Sequence, residues 1–164
     1  MYDYGTASIQ YAPMVAKFIN QYGISDLLDY GAGKLNLIKT ISKDKLVDRK
    51  FSYCPYEPSN PQYADKPEPT EMVACLDVLE HIEPECIDDV LDDLKRVTEC
   101  IGLFTVSCVP AAKVLPDGRN AHLIQEPAEW WLPKIMSRFE LQSFQRTKTG
   151  FFVLVKRNVH IDLC

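Results

Sequence analysis

Three short clusters in this 164-residue chain set carboxylates beside tight turns. The first is Asp29-Tyr30-Gly31-Ala32-Gly33, where an apolar run ends in a pair of glycines. Glycine lets a backbone turn sharply and approach a ligand closely. The second is Tyr56-Glu57-Pro58-Ser59. A carboxylate at the end of a strand can accept both hydroxyl protons of a ribose, so Glu57 suits a nucleoside, although taken alone it is an ordinary strand-end acid. The third is Asp77-Val78-Leu79-Glu80-His81, again at the end of an apolar run. A fourth polar group lies further on, where Asp117, Arg119, Asn120 and His122 cluster in an otherwise apolar stretch. Imidazoles such as His81 and His122 titrate near neutrality and can move protons.

Two familiar phosphate-binding patterns do not fit. A P-loop needs glycine where Leu28 stands and Ser or Thr where Leu35 stands. A dinucleotide fingerprint needs a third glycine where Asn36 stands. The cysteines at 54, 75, 86, 100, 108 and 164 form no C-x-x-C pair, and no histidine lies at zinc-finger spacing. No zinc and no other metal site is expected. The thiols read as reduced and mostly buried, with Cys75, Cys100 and Cys108 inside strand-like runs.

The elements that must position these residues alternate. Apolar residues at Ile9, Met14, Val15, Phe18 and Ile19 predict a helix over residues 9–22, closed by Gly23. Residues 24–30 read as a buried strand and residues 35–41 as a helix. Residues 51–57 form the second strand. The proline-rich stretch 58–70 must be loop, because proline fixes φ and removes a donor. Residues 71–77 are a third strand. Residues 84–99 carry the clearest helical stripe, with Ile87, Val90, Leu91, Leu94 and Val97 on one face. Acids crowd its start and Lys95-Arg96 its end, as the macrodipole favours. Residues 101–109 follow as a strand and 126–138 as a helix. Residues 139–146 and 150–157 form an antiparallel pair. Strands alternating with helices imply a mostly parallel sheet covered on both faces, with ligands at the carboxyl ends of its strands.

The composition, 46% hydrophobic and 25% charged, is that of one globular domain spanning residues 1–164. No apolar run is long enough to span a bilayer, and the first residues carry no secretory pattern, so no membrane partner and a cytoplasmic location are expected. The net charge of −5 divides unevenly. Residues 1–100 carry 10 basic and 18 acidic groups, and residues 101–164 carry 8 basic and 5 acidic ones. That mildly basic final third could face an anionic substrate, but it is too sparse for a nucleic-acid patch. A small sheet with few protected edges is compatible with a homo-oligomer.

An acid two residues before a G-x-G turn, an acid closing the second strand and a D-V-L-E-H run after a later strand occur here in that order. Together they resemble the class I S-adenosylmethionine-dependent methyltransferases, over residues 24–110. The resemblance implies an α/β, Rossmann-like three-layer sandwich. Its sheet would be mostly parallel, of about six strands, with a C-terminal antiparallel hairpin. It also implies S-adenosyl-L-methionine as cofactor. Gly31, Ala32 and Gly33 would pack under its methionine and ribose, with Asp29 steadying that turn and the cofactor's amino end. Glu57, beside Pro58, would bind the ribose hydroxyls. Asp77 and Val78 would lie beside the methionine and sulfonium. Leu79, Glu80 and His81 would line the floor between cofactor and acceptor.

Three departures mark this chain. Leu35 replaces the family's last turn glycine, and the usual third strand and its helix give way to the 58–70 loop. The adenine-side acid has only Asp65 as a stand-in. The compact layout is similar to small methyltransferases of bacteriophages. The acceptor would be a small molecule or a nucleobase. His122, and less directly His81, are the expected proton-handling residues. Arg119, Asn120 and His122 would contact the acceptor; of Trp130 and Trp131 one could stack on a flat acceptor, with Trp130 the candidate, and core packing of both is the plainer alternative. Two other classes compete. A nicotinamide-dependent oxidoreductase uses the same sheet, but the missing glycine and the D-V-L-E-H run oppose it. A non-catalytic cofactor- or partner-binding module is consistent with the short chain.

Overall fold

The helical stripe predicted near the N-terminus folds as α1 (Thr6–Tyr22), which buries Tyr11, Ala12, Val15, Ala16 and Ile19. Those positions recur every three to four residues, so they share one face. The helix stops at Gly23, whose φ of +66° suits glycine. In a computed structural model that describes residues 6–158, the chain then runs β1 (Asp26–Tyr30), α2 (Asn36–Lys43), β2 (Ser52–Tyr56) and β3 (Thr70–Leu76). Two short 3-10 turns, Leu79–His81 and Pro84–Cys86, lead into α3 (Ile87–Val97). The remainder is β4 (Thr98–Ser107), α4 (Ala128–Met136), β5 (Phe139–Arg146) and β6 (Gly150–Arg157).

The six strands form one sheet in the order β2-β1-β3-β4-β6-β5. Strands β1 to β4 are parallel, and β6 is antiparallel to both β4 and β5. Side chains alternate between two cores, as the strand period of two requires. Met72, Ala74, Leu76, Ile101 and Leu103 face α1 and α2. Val73, Cys75, Phe104 and Val106 face α3 and α4 with Leu91, Leu94 and Trp131. The result is the expected three-layer α/β sandwich with a closing antiparallel hairpin.

The structure shifts some boundaries. The helix expected over 84–99 is a 3-10 turn followed by α3, and β4 starts at once at Thr98. The reason is pairing: Thr98 lies opposite Thr70, and Ile101 opposite Met72, so the register slips between them. That irregularity leaves Cys100 exposed, as Cys86 is, whereas Cys75 is buried. The expectation of mostly buried thiols is corrected accordingly; Cys164 lies outside the described residues. Residues 58–69 contain no strand, the expected loop giving way to β3 at Thr70, and β2 is an edge of the sheet. No helix among the described residues is long and apolar enough to cross a membrane.

Candidate functional site

From β1 the chain steps outward to β2, then returns across β1 to β3. Reversal of strand order at that point opens a crevice at the carboxyl ends of the strands. A cleft of about 1590 Å³ lies there, lined by Gly31, Ala32, Gly33, Glu57, Asp77 and Val78 among others. Pro58 also lines it. A pocket for one ligand holds roughly 300–1,000 Å³, so this cleft has room for two ligands side by side.

The glycine turn is built by its neighbours. Gly31 has φ +85°, and a Cβ there would come within 2.5 Å of Val78 Cγ2. Any side chain would therefore drive the β1 turn away from the β3 turn. The Gly31 and Ala32 amides donate to Tyr56 O at 2.8 and 2.9 Å. The Gly33 amide donates to Glu57 Oε2 at 3.0 Å. Glu57 Oε1 accepts from the Ser59 amide and hydroxyl at 3.1 and 2.7 Å. These bonds take over the steadying role expected of Asp29. Asp29 instead lies 2% exposed beneath the turn and accepts from the Tyr53 hydroxyl at 2.6 Å. Burial raises its carboxyl to about 6, although that hydrogen bond opposes the shift.

Asp77 closes β3 with φ +52°, an unfavourable backbone for most non-glycine residues that Asp tolerates. Its amide donates to Thr105 O at 3.1 Å, and its Oδ1 accepts from Thr105 Oγ1 at 2.6 Å. Strand β4 thus fixes the carboxylate in the cleft wall. The rest of the D-V-L-E-H run divides. His81 lines the cleft, whereas Leu79 is fully buried in the core beneath α3. Glu80 is also fully buried, its Oε1 accepting from the Ser107 amide at 2.9 Å. Its Oε2 has no hydrogen-bond partner among the described residues. Burial, and then the charge of Asp77, pushes its carboxyl up to about 8, so it keeps its proton at neutral pH. Leu79, expected on the floor, belongs to the core instead, whereas a Glu80 carboxyl oxygen lies within 4.8 Å of a ring nitrogen of both His81 and His122. All three residues of the run, Leu79, Glu80 and His81, share one 3-10 turn, which buries Leu79 and Glu80 and leaves His81 half-buried at the cleft.

His122 reaches the same end of the cleft from the loop after β4. Its ring lies 4.8 Å from that of His81, at an interplanar angle of 81°. His81 Nδ1 donates to Ala121 O at 2.8 Å, and His122 Nδ1 donates to Val109 O at 2.6 Å. A carbonyl can only accept, so each ring carries a proton on Nδ1. Burial, and then His122, hold the His81 imidazole below the ordinary histidine range.

Three residues expected at the acceptor do not line the cleft. Arg119 donates to both oxygens of Glu83, at 2.8 and 2.9 Å, and pairs with Asp117. Asn120 braces the loop: its Oδ1 accepts from the Ala111 and His122 amides, both at 2.9 Å. Trp130 packs edge-on against Trp131 at 5.0 Å, under the Lys134 ammonium. Trp131 is fully buried in the core that α3 and α4 cover together, with Trp130 packed against it. Asp65 does not line the cleft either. Sequence reasoning missed Tyr30 and Tyr56, whose rings meet at 4.9 Å in the cleft wall, and Val90 of α3. A signal existed for the tyrosines, since each directly precedes a turn of the site. None existed for Thr6, Ala7 and Ser8, which α1 brings to the cleft from afar.

No protein-family model matches the chain, and no curated protein sequence does. Solved structures do match. A 1,6-didemethyltoxoflavin N1-methyltransferase of Burkholderia thailandensis, holding 1,6-didemethyltoxoflavin and S-adenosylhomocysteine, is 14% identical. It superposes with TM-score 0.62 over 93% of this chain and 79% of its own. Mitomycin 7-O-methyltransferase gives TM-score 0.66 at 13% identity, over 93% of this chain and 55% of its own. Magnesium protoporphyrin IX methyltransferase of Synechocystis, with S-adenosylhomocysteine bound, gives 0.58 at 13% identity, over 93% and 84%. At such identities the likeness is one of architecture. The chain has the fold of the class I S-adenosylmethionine-dependent methyltransferases.

Proposed function

We propose that residues 1–164 act as one S-adenosylmethionine-dependent methyltransferase domain, whose acceptor is a small molecule or a nucleobase. One observation carries the reading: the Gly31–Gly33 turn, Glu57 and Asp77 converge from three strand ends on a single cleft. The chain's residues suit the cofactor. A Cβ built on Gly33 meets nothing within 4 Å, so backbone there faces open cleft. Glu57 offers its remaining acceptor capacity to ribose hydroxyls, Pro58 lies beside it, and Asp77 faces the cationic end. Tyr30, Tyr56 and Val90 supply a flat, apolar wall for a base.

When bound, S-adenosylmethionine supplies an already activated methyl group. The protein must then hold an acceptor in line and keep it from drifting. His81 and His122 stand where that acceptor would sit. The Nε2 of either ring can take a proton from an acceptor O–H or N–H, and Nδ1 is held by a backbone carbonyl throughout. The three similar enzymes above are named for 1,6-didemethyltoxoflavin, mitomycin and magnesium protoporphyrin IX, all small molecules.

Calorimetric titration with S-adenosylmethionine, S-adenosylhomocysteine and NADH tests the reading. Binding of the two sulfur nucleosides without NADH is the expected result. Absence of binding by either would overturn it and leave a partner-binding module with the same fold.

A further inference from the structure

The two histidines share their end of the cleft with a third group. Glu80, His81 and His122 each offer one ligand atom, and those atoms lie within 4.8 Å of one another. Glu80 is 0% exposed, and its Oε2 lacks a hydrogen-bond partner among the described residues. A buried polar oxygen left so costs stability, and a site that keeps one calls for an explanation. His81 and His122 are turned by the same device, Nδ1–H donating to a backbone carbonyl. That bond sets the tautomer and aims Nε2, as it does in metal-ligating histidines. Glu80 Oε1 is fixed in turn by the Ser107 amide, at 2.9 Å. The Glu80 carbonyl accepts from the Ile124 amide at 3.0 Å, which ties the His122 loop to the Glu80 turn.

We propose that Glu80, His81 and His122 form a binding site for one divalent first-row transition-metal ion at the acceptor end of the cleft. Two imidazoles and one carboxyl group, which releases its proton to solvent as the ion binds, suit Mn²⁺, Fe²⁺, Co²⁺ or Zn²⁺ better than the all-oxygen preference of Ca²⁺ or Mg²⁺. Metal–ligand bonds of about 2.1 Å draw donor atoms to roughly 3–3.5 Å, a closure that side-chain rotation can supply here. Three protein ligands leave coordination positions open toward the cleft, where an oxygen of the acceptor can enter. The cation occupies the nitrogens that would otherwise take the acceptor's proton, so the two uses exclude each other in one molecule. The inference needs no bound nucleoside and stands or falls apart from the cofactor assignment.

The test is titration of the full chain with Mn²⁺ alone, followed by calorimetry and by loss of the free-ion electron paramagnetic resonance signal. One ion per chain is expected. His122→Ala, in a half-buried loop, and the isosteric Glu80→Gln should each weaken binding by more than about tenfold, the scale set even by outer partners of a ligand. Arg119→Ala, beside the site but outside it, should bind as the parent does. Circular dichroism confirms that each variant is folded. No binding by the parent chain, or equal binding by folded His122→Ala, would overturn the proposal.

Discussion

Both oxygens of Glu57 are engaged within the protein, and this shapes what cofactor binding must do. Each carboxylate oxygen offers two acceptor sites. The Ser59 amide and hydroxyl fill those of Oε1, while Oε2 holds only the Gly33 amide. One ribose hydroxyl can therefore join Oε2 directly, and the second must displace the Ser59 hydroxyl, which is free to rotate elsewhere. Glu57→Ala should weaken S-adenosylhomocysteine binding on the order of 100-fold, because two charge-assisted bonds are lost. Ser59→Ala should stay within about threefold of the parent chain, since it removes a competitor. Calorimetry on both variants checks this. A larger loss for Ser59→Ala than for Glu57→Ala would remove the ribose assignment.

Asp29 carries a pH signature. Its carboxyl is raised to about 6 in the folded chain, against 3.8 unfolded, so the folded state binds its proton more tightly. The associated stability is fully present below the unfolded value and is lost as pH rises through about 6. The difference is on the order of 3 kcal/mol. Denaturant unfolding of parent and Asp29→Asn chains at pH 4 and pH 7 should therefore show the parent losing ground to the variant at the higher pH. A gap of constant size would contradict the shift. The sequence located Asp29 but not its partner, because Tyr53 belongs to another strand and the register that joins them is not visible in either segment.

At the scale of elements, the alternation of strand and helix was fully legible, because period and punctuation are local. Both hairpin strands, β5 and β6, fell on the expected residues. Boundaries failed where tertiary pairing overrides local preference. Thr98 belongs to a helical run by sequence, yet its position opposite Thr70 places it in β4. The D-V-L-E-H run shows the same limit: its residue types were readable, but not that a 3-10 turn buries Leu79 and Glu80 while His81 lines the cleft. The nearness of His122 to that run could not be read, since a loop of unknown path separates them.

Strand β6 makes the tightest demand of any element. Its first residue, Gly150, sits opposite Ser107, and a Cβ there would lie 1.9 Å from Val106 O. Backbone cannot yield as a flexible side chain does, so the strands would have to part. Gly150→Ala should lower stability by about 1–3 kcal/mol, the usual cost of overpacking. Denaturant titration measures it. An unchanged midpoint would mean that β4 and β6 do not approach so closely.

For the molecule as a whole, the uneven charge has an internal answer. The acids of α3 meet bases from the final third: Lys134 and Arg138 reach Asp88 at 3.1 and 3.3 Å, and Arg138 reaches Asp92 at 2.6 Å. Arg119 pairs with Glu83, and Arg146 with Glu129. Much of the positive surplus expected to face an anionic substrate is thus spent across the α3–α4 seam. Exposed pairs of this kind are screened by solvent and add little stability, so their role is mutual neutralisation rather than strength.

The placement of β6 between β4 and β5 sets the order in which the chain can be completed during synthesis. Strand β5 emerges from the ribosome before the strand that will join it to the sheet. Until residues 150–157 have been made, β4 keeps one open edge, and Phe104 and Trp131 lack the cover of Val153 and Val155. A nascent chain therefore carries a half-finished sheet with exposed apolar surface, the state most prone to stick to its neighbours. A denatured chain returning to the native state meets the same delay. Ile101 must find Lys156 before the last layer can close, and contacts so distant in sequence form slowly.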